Sequence, residues 1–173
     1  MPTVRRIIVG VHGSVRSLQA LRFAADEARH RAVPLVAVIA WVPPGGDMAE
    51  RRLSSPHLRK IWRDAAWQQL WGAFDAGLGG VPEDLSVQPQ VARGETGPVL
   101  VDLASEPGDL LIIGTGRRAS LGRALRRSVS RYCLAHARCP VLAVPPPALM
   151  DELGHGLRSW QRRHSLIPDT PDL

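Results

Sequence analysis

The sequence predicts an α/β protein, a five-stranded parallel open sheet with helices on both faces. Three observations predict it. Apolar blocks at residues 35–41 and 110–113 run without polar alternation, as strands do when both faces are buried. Stretches with helical spacing separate the strands, and alternating strands and helices build an open sheet. Two strands run straight into glycine turns, Gly10-Val-His-Gly-Ser14 and Gly114-Thr-Gly116, where the chain must bend sharply.

Residues 7–11 form the first strand. Ser14 is a good helix N-cap, and Leu18, Leu21, Ala25 and Ala28 then recur at helical spacing. Pro34 ends that helix, and residues 35–41 return as a second buried strand, completing a βαβ unit with a right-handed crossover. A polar loop opens at Pro43 and continues to about Pro56. The long helix that follows carries Ile61, Trp62, Ala65, Ala66, Leu70, Ala73 and Phe74 on its apolar side. Trp67 and Trp71 widen that side, which points to a second contact surface or a loop folded over it.

Residues 85–91 read as an edge strand, because Pro89 cannot donate to a ladder. Gly97-Pro98 opens the next helix, with Val99, Leu100, Leu103 and Ala104 packing inward. After the strand at 110–113 and its glycine loop, Ser128 caps a helix over 129–137, and residues 140–144 form the last strand. Pro145-Pro-Pro147 closes a first domain, 1–147. Beyond it, in 148–173, Leu149, Met150, Leu153, Leu157 and Trp160 are spaced three and four apart. That spacing predicts an amphipathic helix and then a disordered tail.

With 173 residues and 45% apolar content, the chain can bury a real core. No apolar run approaches the ~20 residues that cross a bilayer, and none forms a signal-peptide core, so the expected location is cytoplasmic with no membrane partner. The net charge of +6 raises the question of nucleic acid. The excess is scattered arginine with no interleaved aromatic platform, and nucleic acid is not the expected partner. Cys133 and Cys139 show no CxxC spacing or His/Cys cluster, so they read as reduced structural thiols, with no metal site.

The loop from Gly114 to Ser128 holds the chemistry. A strand, a glycine turn and a capped helix N-terminus make a place where an anion can sit, and Arg117, Arg118, Arg123, Arg126 and Arg127 crowd it. Gly114-Thr-Gly116-Arg-Arg-Ala119 also matches the dinucleotide fingerprint. However, the expected acidic residue about 20 positions on is missing, and no Gly-Lys-Ser or Gly-Lys-Thr marks a P-loop. No nucleophile, base and orienting group can be assembled by spacing, so the chain does not read as an enzyme.

These residues resemble the universal stress protein family. Its nucleotide-binding members carry Gly-x-x-Gly, nine residues, then Gly-Ser or Gly-Thr after this strand. Gly114 and Ser128 match, whereas Arg117 and Arg127 stand where the two other glycines would be. Gly10-Val-His-Gly-Ser14, Gly97-Pro-Val-Leu100 and His136-Ala-Arg-Cys-Pro-Val-Leu-Ala-Val144 carry the resemblance further, over about residues 5–145. The resemblance implies the strand order 3-2-1-4-5 of the adenine nucleotide alpha hydrolase-like fold, with strands 1 and 4 at the switch point. It also implies a nucleotide site at Val11, His12, Ala40, Gly114, Gly116, Arg117, Arg127, Ser128 and Val129. His12 occupies the place of an aspartate that contacts the nucleoside, and it cannot match a carboxylate accepting two bonds. His136 falls at a helix-to-strand junction and reads as structural.

No cofactor follows from the residues alone; ATP or AMP is the one the resemblance implies. The expected function is a stress-response regulator acting through dimerisation and a further protein partner, with weak or no nucleotide binding. The alternative is an ATP- or AMP-binding member with slow hydrolysis or a sensing role. The homodimer implied by the family forms through the last strand, at Val141, Leu142, Ala143 and Val144.

Overall fold

Ile7, Ile8 and Val9 lose essentially all contact with solvent, and the strand they form is the centre of the molecule. The computed structural model describes residues 3–46, 55–115 and 128–146. Its elements run β1 (Arg6–Gly10), α1 (Val15–Arg31), β2 (Leu35–Trp41), α2 (Pro56–Leu78), β3 (Val87–Arg93), α3 (Thr96–Leu103), β4 (Asp109–Gly114), α4 (Val129–His136) and β5 (Val141–Val144). The five strands form one parallel sheet in the order β3-β2-β1-β4-β5.

Alternation along β1 assigns the two faces. Ile7 and Val9 enter a cluster with Leu21 and Ala25 of α1 and with Leu70 and Phe74 of α2. Ile8 enters a second cluster with Leu100 of α3 and Cys133 of α4. Helices α1 and α2 therefore cover one face, and α3 and α4 the other. At the amino ends of the strands, Arg6 and Asp109 stand side by side in the β1–β4 register. The Arg6 Nε donates to Asp109 Oδ1 at 2.7 Å and its Nη2 to Oδ2 at 3.0 Å. Asp109 is 2% exposed and also accepts from the Glu106 amide, so its charge is paired where water cannot reach it.

Three expectations shift in detail. The edge strand β3 starts at Val87, two residues later than its apolar pattern indicates, and runs to Arg93. On α2, Ala66, Leu70, Ala73 and Phe74 are buried as expected, but Ile61 is 47% exposed and Ala65 is also exposed. The cause is length. Twenty-three helical residues span about 34 Å against roughly 23 Å for a seven-residue strand, so the sheet does not underlie the whole of α2. Near its start Trp62 meets the last residue of β2, Trp41, with ring centroids 6.4 Å apart, while Ile61 faces away. Trp67 and Trp71 instead stack on each other, with ring centroids 5.6 Å apart.

Gly114 differs in its reason. Its φ is not positive, so it is not needed for a left-handed turn. A Cβ there would lie 2.6 Å from the carbonyl oxygen of Arg16. The end of β4 meets the first turn of α1 backbone against backbone, and only glycine permits that approach.

Candidate functional site

A cleft of about 450 Å³ opens between α3 and α4 at the carboxyl side of the sheet. Ala40 and Val42 line it where β2 ends, Thr96, Gly97 and Pro98 where α3 begins, and Ser128, Val129, Tyr132, Ala135 and His136 along α4. Glu95 and Arg131 add a charge of each sign to the rim.

Helix α4 is fixed from three sides. Ser128 caps it, its Oγ accepting from the Arg131 amide at 3.5 Å. The Ser130 hydroxyl donates to the carbonyl of Gly114 at 3.1 Å, tying the first turn to the end of β4. Beneath, Cys133 is wholly buried, and burial pushes its thiol up to about 11. Burial raises the Cys139 thiol as well, and both cysteines are free.

Toward α3 the contact is closer still. Gly97 is buried, and a Cβ on it would fall 2.8 Å from Cδ1 of Tyr132 and 2.9 Å from Cγ. Glycine at 97 lets the Tyr132 ring lie directly on the start of α3. His136, one turn on, stacks on Tyr132 with centroids 4.2 Å apart and planes 16° from parallel. Its Nδ1 lies 2.9 Å from the Tyr132 carbonyl.

Of the sequence-predicted site residues, Ala40, Ser128 and Val129 line this one cleft. Gly114 does not line it; its carbonyl accepts from Ser130 in the first turn of α4. Val11 and His12 do not line it. Val11 is buried in the cluster under α1 and α2, its amide donating to the carbonyl of Val38 at 2.8 Å. The exposed His12 belongs to the turn into α1: its amide donates to Ser17 Oγ at 3.2 Å, and its carbonyl accepts from Gln69 Nε2 at 3.0 Å. Gly116, Arg117 and Arg127 lie outside the described residues, as do Arg118, Arg123, Arg126 and the predicted helix after Pro147.

Sequence reasoning missed Thr96, Tyr132 and the cleft position of His136. A signal was present, since Ser128, Tyr132 and His136 are spaced i, i+4, i+8 and share one face of the helix. Among the described residues, no helix is long and apolar enough to cross a membrane, and no group of three or more His, Cys, Asp or Glu is placed to hold a metal.

The sequence model of the Universal stress protein family matches residues 3–145. Universal stress protein Rv2624c of Mycobacterium tuberculosis is 33% identical over 145 residues, covering 81% of this chain and 48% of its own. Universal stress protein Rv2005c of the same organism is 26% identical over 147 residues, covering 80% and 47%. The chain thus spans about half the length of the curated relatives it matches. Among solved structures, a universal stress protein from Archaeoglobus fulgidus matches with a TM-score of 0.55 at 26% identity, covering 81% of this chain and 98% of that one. A universal stress protein in complex with cAMP matches with a TM-score of 0.55 at 23% identity, covering 84% and 99%.

Proposed function

The chain belongs to the universal stress protein family, and from that premise we propose that it is a regulatory protein acting by binding rather than turnover. It takes a nucleotide weakly in the α3–α4 cleft and a second copy of itself along β5. A further protein partner reads that assembly, in the cytoplasm.

One observation carries the reading. The capped N-terminus of α4 and the apolar end of β2 open into the same cleft, so an anion and an apolar ring can be held at once. Weakness follows from the walls. Val42 is 53% exposed, and Ser128 and His136 are exposed as well. Hydrogen bonds and charges that face water contribute little net affinity, and a site open to solvent does not shield reacting groups from it. By the family resemblance Arg117 and Arg127 stand in place of glycines, and an arginine there adds side-chain volume that a phosphate approaching the backbone would meet.

The cleft volume, within the range of small-ligand sites, favours the second reading, an ATP- or AMP-sensing member with slow hydrolysis. Incubation with ATP and Mg²⁺, followed by chromatography of the nucleotides, separates the two. Turnover by binding alone is nil, so ADP should not exceed the protein-free control. Steady ADP formation that falls with Ser128→Ala would overturn the proposal in favour of hydrolysis.

A further inference from the structure

The stacked pair Tyr132 and His136 packs on α3 through Tyr132 and still shows part of its surface to the cleft. Tyr132 is 37% exposed and His136 is exposed, and both line the cleft. The pair is nevertheless held in position. Gly97 brings α3 against the Tyr132 ring, and the His136 ring is anchored by its Nδ1 at the Tyr132 carbonyl, 2.9 Å away. A carbonyl oxygen only accepts, so Nδ1 carries the hydrogen and the neutral ring keeps its lone pair on Nε2. The result is a pre-ordered aromatic wall with one hydrogen-bond acceptor at its edge.

We propose that this wall seats a planar nitrogen heterocycle, a nucleobase with an N–H on its edge, and that Tyr132 and His136 determine which ligands the cleft prefers. The inference rests on the reading of the cleft as a nucleotide site and adds where the base lies. Ala40 and Pro98 supply apolar surface in the same cleft, and Ser128 at the start of α4 leaves the sugar–phosphate end toward the helix N-terminus. A flat ring gains from stacking whichever base it is, because every base has a π-face. Two rings already ordered against each other lose little freedom when a third is added.

The test is a nuclear magnetic resonance titration of the full chain with AMP and, separately, ribose 5-phosphate. AMP should shift the ring protons of Tyr132 and His136 through its ring current, while ribose 5-phosphate leaves them in place. His136→Ala and Tyr132→Leu should each weaken AMP roughly tenfold and leave ribose 5-phosphate unchanged. His136 is exposed, so its variant reports even if the Tyr132 variant disturbs the joint with α3. If AMP moves the amides of Ser128 and Val129 while both rings stay unmoved and His136→Ala binds AMP as the parent does, the base lies elsewhere and this inference is overturned alone. If AMP moves no resonance of the cleft, the nucleotide reading falls and takes this inference with it.

Discussion

Single residues decide this fold at points where a charge or a backbone has no slack. Asp109 meets Arg6 through two charge-assisted bonds and the Glu106 amide through a third. Arg6 is held above its ordinary value, first by its hydrogen bonds to Asp109 and then by the nearby negative charges of Asp109 and Glu106, acting against its own partial desolvation. Asp109→Ala removes the bidentate partner and leaves the part-buried guanidinium with the Leu103 carbonyl and the exposed Glu106 carboxylate. We expect a loss of about 3 kcal/mol in urea unfolding; a loss under about 1 kcal/mol would mean the pair is not sealed from water. Gly114→Ala places a Cβ against the Arg16 backbone, which cannot swing aside as a side chain can. Its expected cost is about 1–3 kcal/mol, and an unchanged melting temperature would contradict the close approach. The Cys133 thiol, raised by burial to about 11, favours the neutral form in the folded chain. Its contribution to stability is full below the ordinary thiol value of 9.0 and fades as pH climbs toward 11. At pH 8 about one Cys133 in a thousand is ionised, so disulfide reagents should label it only after unfolding. Rapid labelling of the native chain at Cys133 would contradict this.

At the scale of elements, local pattern and long-range contact divide what could be read in advance. Strands β2 and β4 were legible because apolar runs announce burial on both faces, and Ser14 and Ser128 because their oxygens cap helices just as their type suggests. The first turns of α2 were misread because periodicity marks which residues share a stripe but not how far the sheet extends beneath them. Ile61 continues the stripe and still faces water. The shared helix face of Ser128, Tyr132 and His136 could be read from their spacing, but the packing of that face on α3 could not. Gly97 and Tyr132 touch across a long sequence separation, and nothing near either residue announces the other. The order of the strands came from the family resemblance, and the sheet follows it. Strand β5 carries the dimerisation proposal: it closes the sheet at one edge, pairs with β4 on one side, and has no charge among Val141, Leu142, Ala143 and Val144. Uncharged edges invite pairing with another strand. Ala143 is exposed, so Ala143→Lys should leave the fold intact and convert a dimer into a monomer in sedimentation at micromolar concentration. A parent chain that already sediments as a monomer would sink the proposal.

At the scale of the whole molecule, this universal stress protein is proposed to act by holding ligands weakly and partners through its edge. The domain proposed for residues 1–147 carries the sheet, and the predicted amphipathic helix after it is proposed to dock on protein through Leu153, Leu157 and Trp160. Removing residues 148–173 should then lower the melting temperature, and an unchanged value would leave that helix undocked. Two opposing effects would act on a bound phosphate. Arg117 and Arg127 add positive charge, which attracts phosphate, and volume, which excludes it from the backbone; an occupied volume is not compensated by attraction. Calorimetric titration of ATP into the parent chain and into the combined variant Arg117→Gly, Arg127→Gly weighs these directly. A Kd of about 1 mM is expected for the parent, and tighter binding for the variant. Micromolar binding by the parent, lost in the variant, would show that the arginines grip phosphate and would contradict the proposal of weak binding.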